Sequence, residues 1–178
     1  MMMKKKTEAL TLSGVCLALC LVLPFFTGQI PEIGSALCPM HIPVLLCGFL
    51  CGWQYGGVVG FLAPLLRFAL FQMPPLFPTG TAMAFELAVY GMMTGILNGK
   101  LPKKNGNIYI ALIGAMISGR VVWGIVQVIL SGITKAPFTW QAFFAGAFMT
   151  AIPGIVCHIL LIPPIVMVLK KAGMTEHE

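Results

Sequence analysis

The chain has 178 residues, 58% of them apolar and only 9% charged, with a mean hydropathy of +0.95. A soluble domain is roughly a quarter charged, so this chain lacks the polar surface to stay in water and reads as an integral membrane protein. Its net charge of +6 sets 11 Lys and Arg against five acids, Glu8, Glu32, Glu86, Glu176 and Glu178, with no Asp at all; paired-Asp magnesium sites are excluded and few carboxylates remain for acid–base chemistry.

A Lys-rich start followed by an apolar run has the outline of a leader peptide. The run over 9–26 is long enough to span, however, and no small-residue cleavage site follows it, so it is read as the first span. Further runs over 40–53, 55–72, 80–98, 108–131 and 141–169 complete six candidate spans in one bundle, an all-α single membrane domain over 1–178. The second and third share one apolar stretch, broken only by Gly52-Trp53-Gln54-Tyr55-Gly56-Gly57.

Lysine placement supports the split. With six spans and both termini in the cytoplasm, Lys4, Lys5, Lys6, Lys100, Lys103, Lys104, Lys170 and Lys171 all lie inside, and only Lys135 outside. A single span over 40–72 would move the Lys100–Lys104 cluster outside. The expected location is therefore a multi-pass position in a cell membrane, with both ends on the cytoplasmic side. Lysines gathered at span ends also argue against nucleic acid as a partner. Two Pro-rich loops, 27–39 and 73–79, fall outside, and the first, polar but carrying Ile30 and Ile33, has the make-up of a cap over an outward-facing cavity or of a simple connector.

The six cysteines form no C-x-x-C pair, and five of them, Cys16, Cys20, Cys47, Cys51 and Cys157, lie in apolar runs where cysteine acts as a small hydrophobe. No metal site and no cofactor is expected. No G-x-x-x-x-G-K-[ST] loop is present, so ATP hydrolysis is not expected of this chain itself.

Three ionisable residues sit well inside spans: Arg67, Glu86 and Arg120. Each costs roughly 2.5–3.5 kcal/mol at a helix centre on insertion scales, so each requires a partner or a wet cavity. Counted from the outer span ends at about 1.5 Å per residue, Arg67 and Glu86 have matching depths, and a structural Arg67–Glu86 ion pair is expected. Arg120 is then left without a carboxylate. It shares one face with Trp123 and Gln127 (i, i+3, i+7), a cation, an aromatic plane and an amide that suit a small carboxylate-bearing or heteroaromatic ligand; bonding to backbone carbonyls is the other reading. Tyr90 stands one turn from Glu86 and extends the polar patch. His41, in Pro39-Met40-His41-Ile42-Pro43, is a candidate for the same cavity, whereas His158 is read as structural.

On the first span, Gly14 and Ala18 form a small-xxx-small pair that lets another helix approach closely, whether from this chain or from a second protein. With the segment Leu10-Thr11-Leu12-Ser13-Gly14-Val15-Cys16-Leu17-Ala18-Leu19, the outer loop ending in Pro39-Met40-His41-Ile42-Pro43 and Gly60-Phe61-Leu62-Ala63-Pro64-Leu65, the chain resembles the substrate-binding S components of energy-coupling-factor (ECF) vitamin importers over nearly its whole length. The resemblance implies that Gly14 and Ala18 stand where the family places two alanines against the transmembrane coupling (T) subunit, here with Gly for one of them. It implies that loop 27–39 gates the site, and that Arg120, Trp123, Gln127, Glu86 and Tyr90 lie in the ligand zone, to which the reading of the residues adds His41.

The expectation is thus a non-enzymatic S component binding a water-soluble vitamin from outside, with a T subunit and two ABC ATPases as partners. A lone Arg120 favours an anionic vitamin such as pantothenate or nicotinate, whereas riboflavin or a pyridoxine-like ring would suit Trp123 without needing the arginine. An ATPase-independent small-solute carrier or channel is the alternative. An intramembrane enzyme is disfavoured by the missing paired carboxylates and H-E-x-x-H or Ser/His/Asp sets, and a purely structural subunit by Arg120 beside Trp123 and Gln127.

Overall fold

A computed structural model describes residues 2–26, 37–102, 104–134 and 152–172. Among these the fold is all-helical: α1 (Met2–Phe26), α2 (His41–Cys51), α3 (Trp53–Phe71), a wide helical turn over Leu76–Gly80, α4 (Thr81–Lys100), α5 (Asn105–Thr134) and α6 (Ile152–Lys171). Five helices are long and apolar enough to cross a membrane, namely α1, α3, α4 with its preceding turn, α5 and α6. Most of loop 27–39, Lys103, Lys135 and the first part of the expected span 141–169 lie outside the described residues.

The break between α2 and α3 is a single residue. Gly52 adopts φ 89°, ψ 174°, a backbone region that side chains rarely tolerate, and α3 begins at Trp53 immediately after it. With 11 residues, α2 is about 16 Å long, half the hydrocarbon thickness. It does not meet lipid along its length: it is enclosed by α1, α3, α4 and α6, and Val44, Leu45 and Cys47 are fully buried.

Helix α4 is the other central element, packed on α2, α3 and α5. Its contact with α3 is backbone against backbone. A Cβ added at Gly56 would overlap the Gly91 carbonyl, and one at Gly60 would overlap the carbonyl of Leu87. This seam sets an antiparallel register in which Gly56 faces Gly91 and Gly60 faces Leu87. At the far end of the bundle, Asn98 joins three helices, its amide donating to the Phe49 carbonyl (3.3 Å) and its carbonyl accepting from Lys170 Nζ (2.8 Å). Lys170 and Lys171 on α6 and Lys100 on α4 therefore gather at one end. Opposite them lie the first turns of α2, α4 and α6.

Helix α1 packs one side only. Ala9, Ser13, Cys16 and Cys20 turn inward, spaced four, three and four residues apart, whereas Leu10, Val15, Leu19 and Val22 are 41–63% exposed. Gly14 and Ala18 lie on that open side, and a Cβ at Gly14 would meet nothing within 4 Å among the described residues.

Candidate functional site

Near the end opposite the lysines, four helices contribute polar side chains to one buried cluster. Glu86, on the second turn of α4, places Oε1 3.1 Å from Arg120 Nη1 of α5 and 3.8 Å from His41 Nε2 at the start of α2. The carboxylate side chain is 2% exposed and the guanidinium 12%. The Tyr90 ring, one turn along α4 from Glu86, lies 5.3 Å from the His41 ring, and its hydroxyl interacts with the carboxylate. His158 of α6 stacks on His41 with centroids 5.8 Å apart and planes within 20°.

Local sequence explains how these side chains converge. A turn with Cys38 at φ 47° precedes α2 and lets the His41 amide donate to the Cys38 carbonyl (3.0 Å), which starts the helix at the histidine. On α5, Gly119 removes the side chain that would strike the Tyr90 ring, so α5 lies close enough for Arg120 to reach Glu86. Cys38, half-buried at the mouth of α2, sits beside Arg120 and Glu86. Burial pushes its thiol up to about 11, Arg120 pulling it down and Glu86 raising it further.

The charges in the cluster compensate each other while its hydrogen-bonding capacity stays open. Among the described residues, no group stands in hydrogen-bonding geometry to Glu86 Oε1, Arg120 Nε, or either ring nitrogen of His41 and His158. The 3.1 Å separation is thus a charge contact rather than an aligned hydrogen bond, and 3.8 Å is too long for one. A buried polar group left in this state costs about 1–3 kcal/mol. Several such groups in one cluster make a receptive surface for a polar molecule, with donors from arginine, an acceptor from glutamate and both from neutral imidazole.

The expected Arg67–Glu86 pair is corrected by this geometry. Arg67 Nη1 donates to the Leu21 carbonyl of α1 at 2.9 Å, and its guanidinium lies 5.5 Å from the Phe25 ring and 5.6 Å from the Phe71 ring. The glycine register explains why. Carried outward from Gly60 opposite Leu87, it brings Arg67 level with Gly80, about 9 Å beyond Glu86 at 1.5 Å per residue. Arg120 in turn is not a lone cation, so the ground for an anionic ligand falls away.

Of the candidate site residues, Glu86, Tyr90, Arg120 and His41 come together. Trp123 and Gln127 stand half-buried on the same face of α5, one and two turns farther along. His158 and Cys38 join the cluster without having been expected there; for His158 the only sequence signal was a histidine inside an apolar run, and Cys38 gave none.

Comparison with known proteins yields one match. A family model described as the substrate-specific component of ECF transporters covers residues 8–166. Neither the curated proteins nor the solved structures gave a match. With nearly the whole length matched, and with helices long and apolar enough for several membrane crossings, the chain belongs to the family of substrate-specific components of ECF transporters.

Proposed function

We propose that this protein captures a water-soluble vitamin or a chemically related micronutrient from the outer side of a prokaryotic plasma membrane and delivers it inward through ATP hydrolysis by partner subunits. The observation that carries the reading is the buried Glu86–Arg120–His41–His158 cluster, whose charges are balanced and in which Glu86 Oε1, Arg120 Nε and the imidazole nitrogens lack hydrogen-bond partners among the described residues. In this reading the protein is a single six-span domain. The lysine-bearing end faces the cytoplasm, which agrees with the positive-inside bias, and α2 counts as a short crossing buried among longer ones. The cluster then lies in the outer half of the bundle, where loop 27–39 would close over it. Trp123 and Gln127 extend the ligand zone along α5.

The open side of α1 supports the partner assignment. Gly14 and Ala18 are exposed in a stripe of large apolar residues, a surface suited to a second membrane helix at close range. The T subunit would dock there, with two ABC ATPases behind it.

The test is co-expression with a T subunit and its ATPases, followed by affinity isolation and native mass spectrometry in detergent. The expected result is a four-protein complex and a small-molecule adduct on this chain. Uptake in vesicles that proceeds without ATP and without co-isolated ATPases would replace this reading with a stand-alone carrier.

A further inference from the structure

Resting on the reading of this cluster as the substrate site, we infer that the substrate carries no net charge and meets Glu86 and Arg120 with a neighbouring hydrogen-bond acceptor and donor, as a carboxamide or a ring lactam does. The argument begins with charge. Glu86 and Arg120 are 3.1 Å apart and almost entirely buried, so the pair is neutral as a unit. The remaining described cation of the outer half, Arg67, is engaged by the Leu21 carbonyl and two aromatic rings. The imidazoles of His41 and His158 complete the cluster without adding charge in their neutral form.

A carboxylate ligand drawn to Arg120 would therefore come to rest beside Glu86 as well, in a medium where like charges are poorly screened. An ammonium drawn to Glu86 would meet Arg120. A zwitterion satisfies both charges only by separating them from each other. An amide edge requires none of this. Its carbonyl accepts from Arg120 Nε–H and its N–H donates to Glu86 Oε1, two atoms that have no hydrogen-bond partner among the described residues. The ion contact through Arg120 Nη1 stays in place throughout. Beyond the edge, His41 and His158 each offer a donor and an acceptor, and both are 2–3% exposed with no aligned hydrogen-bond partner among the described residues. The ligand is accordingly polar on more than one side rather than a plain apolar chain.

The chemistry of the pair also predicts how selectivity is reversed. Glu86→Gln keeps the shape and removes the negative charge, leaving Arg120 as a net cation in the same place. Preference should then pass to anions.

The experiment uses the full-length protein in lipid nanodiscs and probe pairs that differ only in charge: nicotinamide against nicotinate, and pantothenol against pantothenate. Binding is read by calorimetry and thermal shift, and any molecule retained through purification is identified by native mass spectrometry. The expected result is that the uncharged member of at least one pair, or a retained molecule that is uncharged at pH 7, binds at least tenfold tighter than its anionic counterpart. Glu86→Gln should shift that ratio by tenfold or more toward the anion. A wild-type preference for the anionic member overturns the inference; because that comparison uses only the unmodified protein, it holds even where the variant does not fold. If the anion is preferred and the T subunit and ATPases still co-isolate, the transporter reading stands and only the inference is lost. If no probe binds, no molecule is retained and no partner is isolated, both are lost together.

Discussion

The bundle buries two arginines in the same half, and they are satisfied in opposite ways. Among the described residues, no acid pairs with Arg67. It is held by one backbone carbonyl and the faces of Phe25 and Phe71, all from the ends of α1 and α3. Arg120 has an acid at 3.1 Å and, around that acid, a set of polar atoms with no hydrogen-bond partner among the described residues. The first arrangement is closed: donor, carbonyl and rings are accounted for within two helices, so it serves as a clasp. The second draws on α2, α4, α5 and α6 and leaves valences over. In the proposed reading a buried charge alone does not mark the binding site; the mark is a compensated charge surrounded by uncompensated hydrogen bonds.

The largest expected effect comes from removing the carboxylate. Glu86→Leu leaves Arg120 buried without a counter-ion and is expected to destabilise the protein by about 3–5 kcal/mol, read as a lowered thermal midpoint in detergent. Adding Arg120→Met should restore most of that loss, whereas adding Arg67→Met should be additive to within about 0.5 kcal/mol. Coupling of Glu86 to Arg67 instead of Arg120 would break the comparison.

Next in size is Gly91→Ala. Its methyl meets the Gly56 backbone, which has no flexible end to give way, and a loss of about 1–3 kcal/mol is expected from overpacking. This variant tests whether the α3–α4 register keeps the two arginines on separate levels. Arg67→Met should cost about 1.5–3 kcal/mol, the range for a hydrogen bond to a charged group, with ligand affinity unchanged in a calorimetric titration. If affinity falls tenfold, the clasp is part of the site.

Cys38 reports on the Arg120 side by its chemistry. With the thiol raised from 9.0 to about 11, the thiolate at pH 8 is depleted about hundredfold, since only that form reacts. Alkylation of Cys38, followed by peptide mass spectrometry, should be slower than for an ordinary thiol by that factor and should rise with pH toward 11. The smallest effect on stability is expected for Ala18→Leu, within about 0.5 kcal/mol because the position is exposed. Both arginine sites and ligand binding should be unaffected, while T-subunit association and transport are lost.

The membrane class, the helix order and the candidates among which four side chains come together were legible in the sequence because hydropathy and helix periodicity report on length and face. The family was legible for a related reason, since its likeness is spread along the whole chain. The partner of Glu86 was not. Depth counted from helix ends assumes that neighbouring ends are level, and here α3 runs outward past the start of α4 by about one and a half turns of register. Arg120 sits midway along a 30-residue helix, longer than the expected span, so its distance from either end says little about which turn of α4 it faces. His158 escaped for the reason that a single histidine in an apolar run carries no information about its neighbours until the packing of α6 on α2 is known.

The glycine seam has a mechanical consequence. Where two helices touch backbone to backbone, as α3 and α4 do at Gly56–Gly91 and Gly60–Leu87, there is no layer of side chains to act as a compliant cushion. The pair behaves as one stiff plate, with α2 laid against it. The other wall of the cluster is softer, since α5 meets α4 at Gly119 and Gly114 through the Tyr90 ring and the Leu97 side chain, whose rotamers can change without a shift of either backbone. Strain applied at the cluster is thus relieved on the α5–α6 side. Backbone amides of α3 and α4 should exchange with deuterium most slowly in the molecule, and any breathing that admits a molecule to Glu86 belongs to the helices facing that plate.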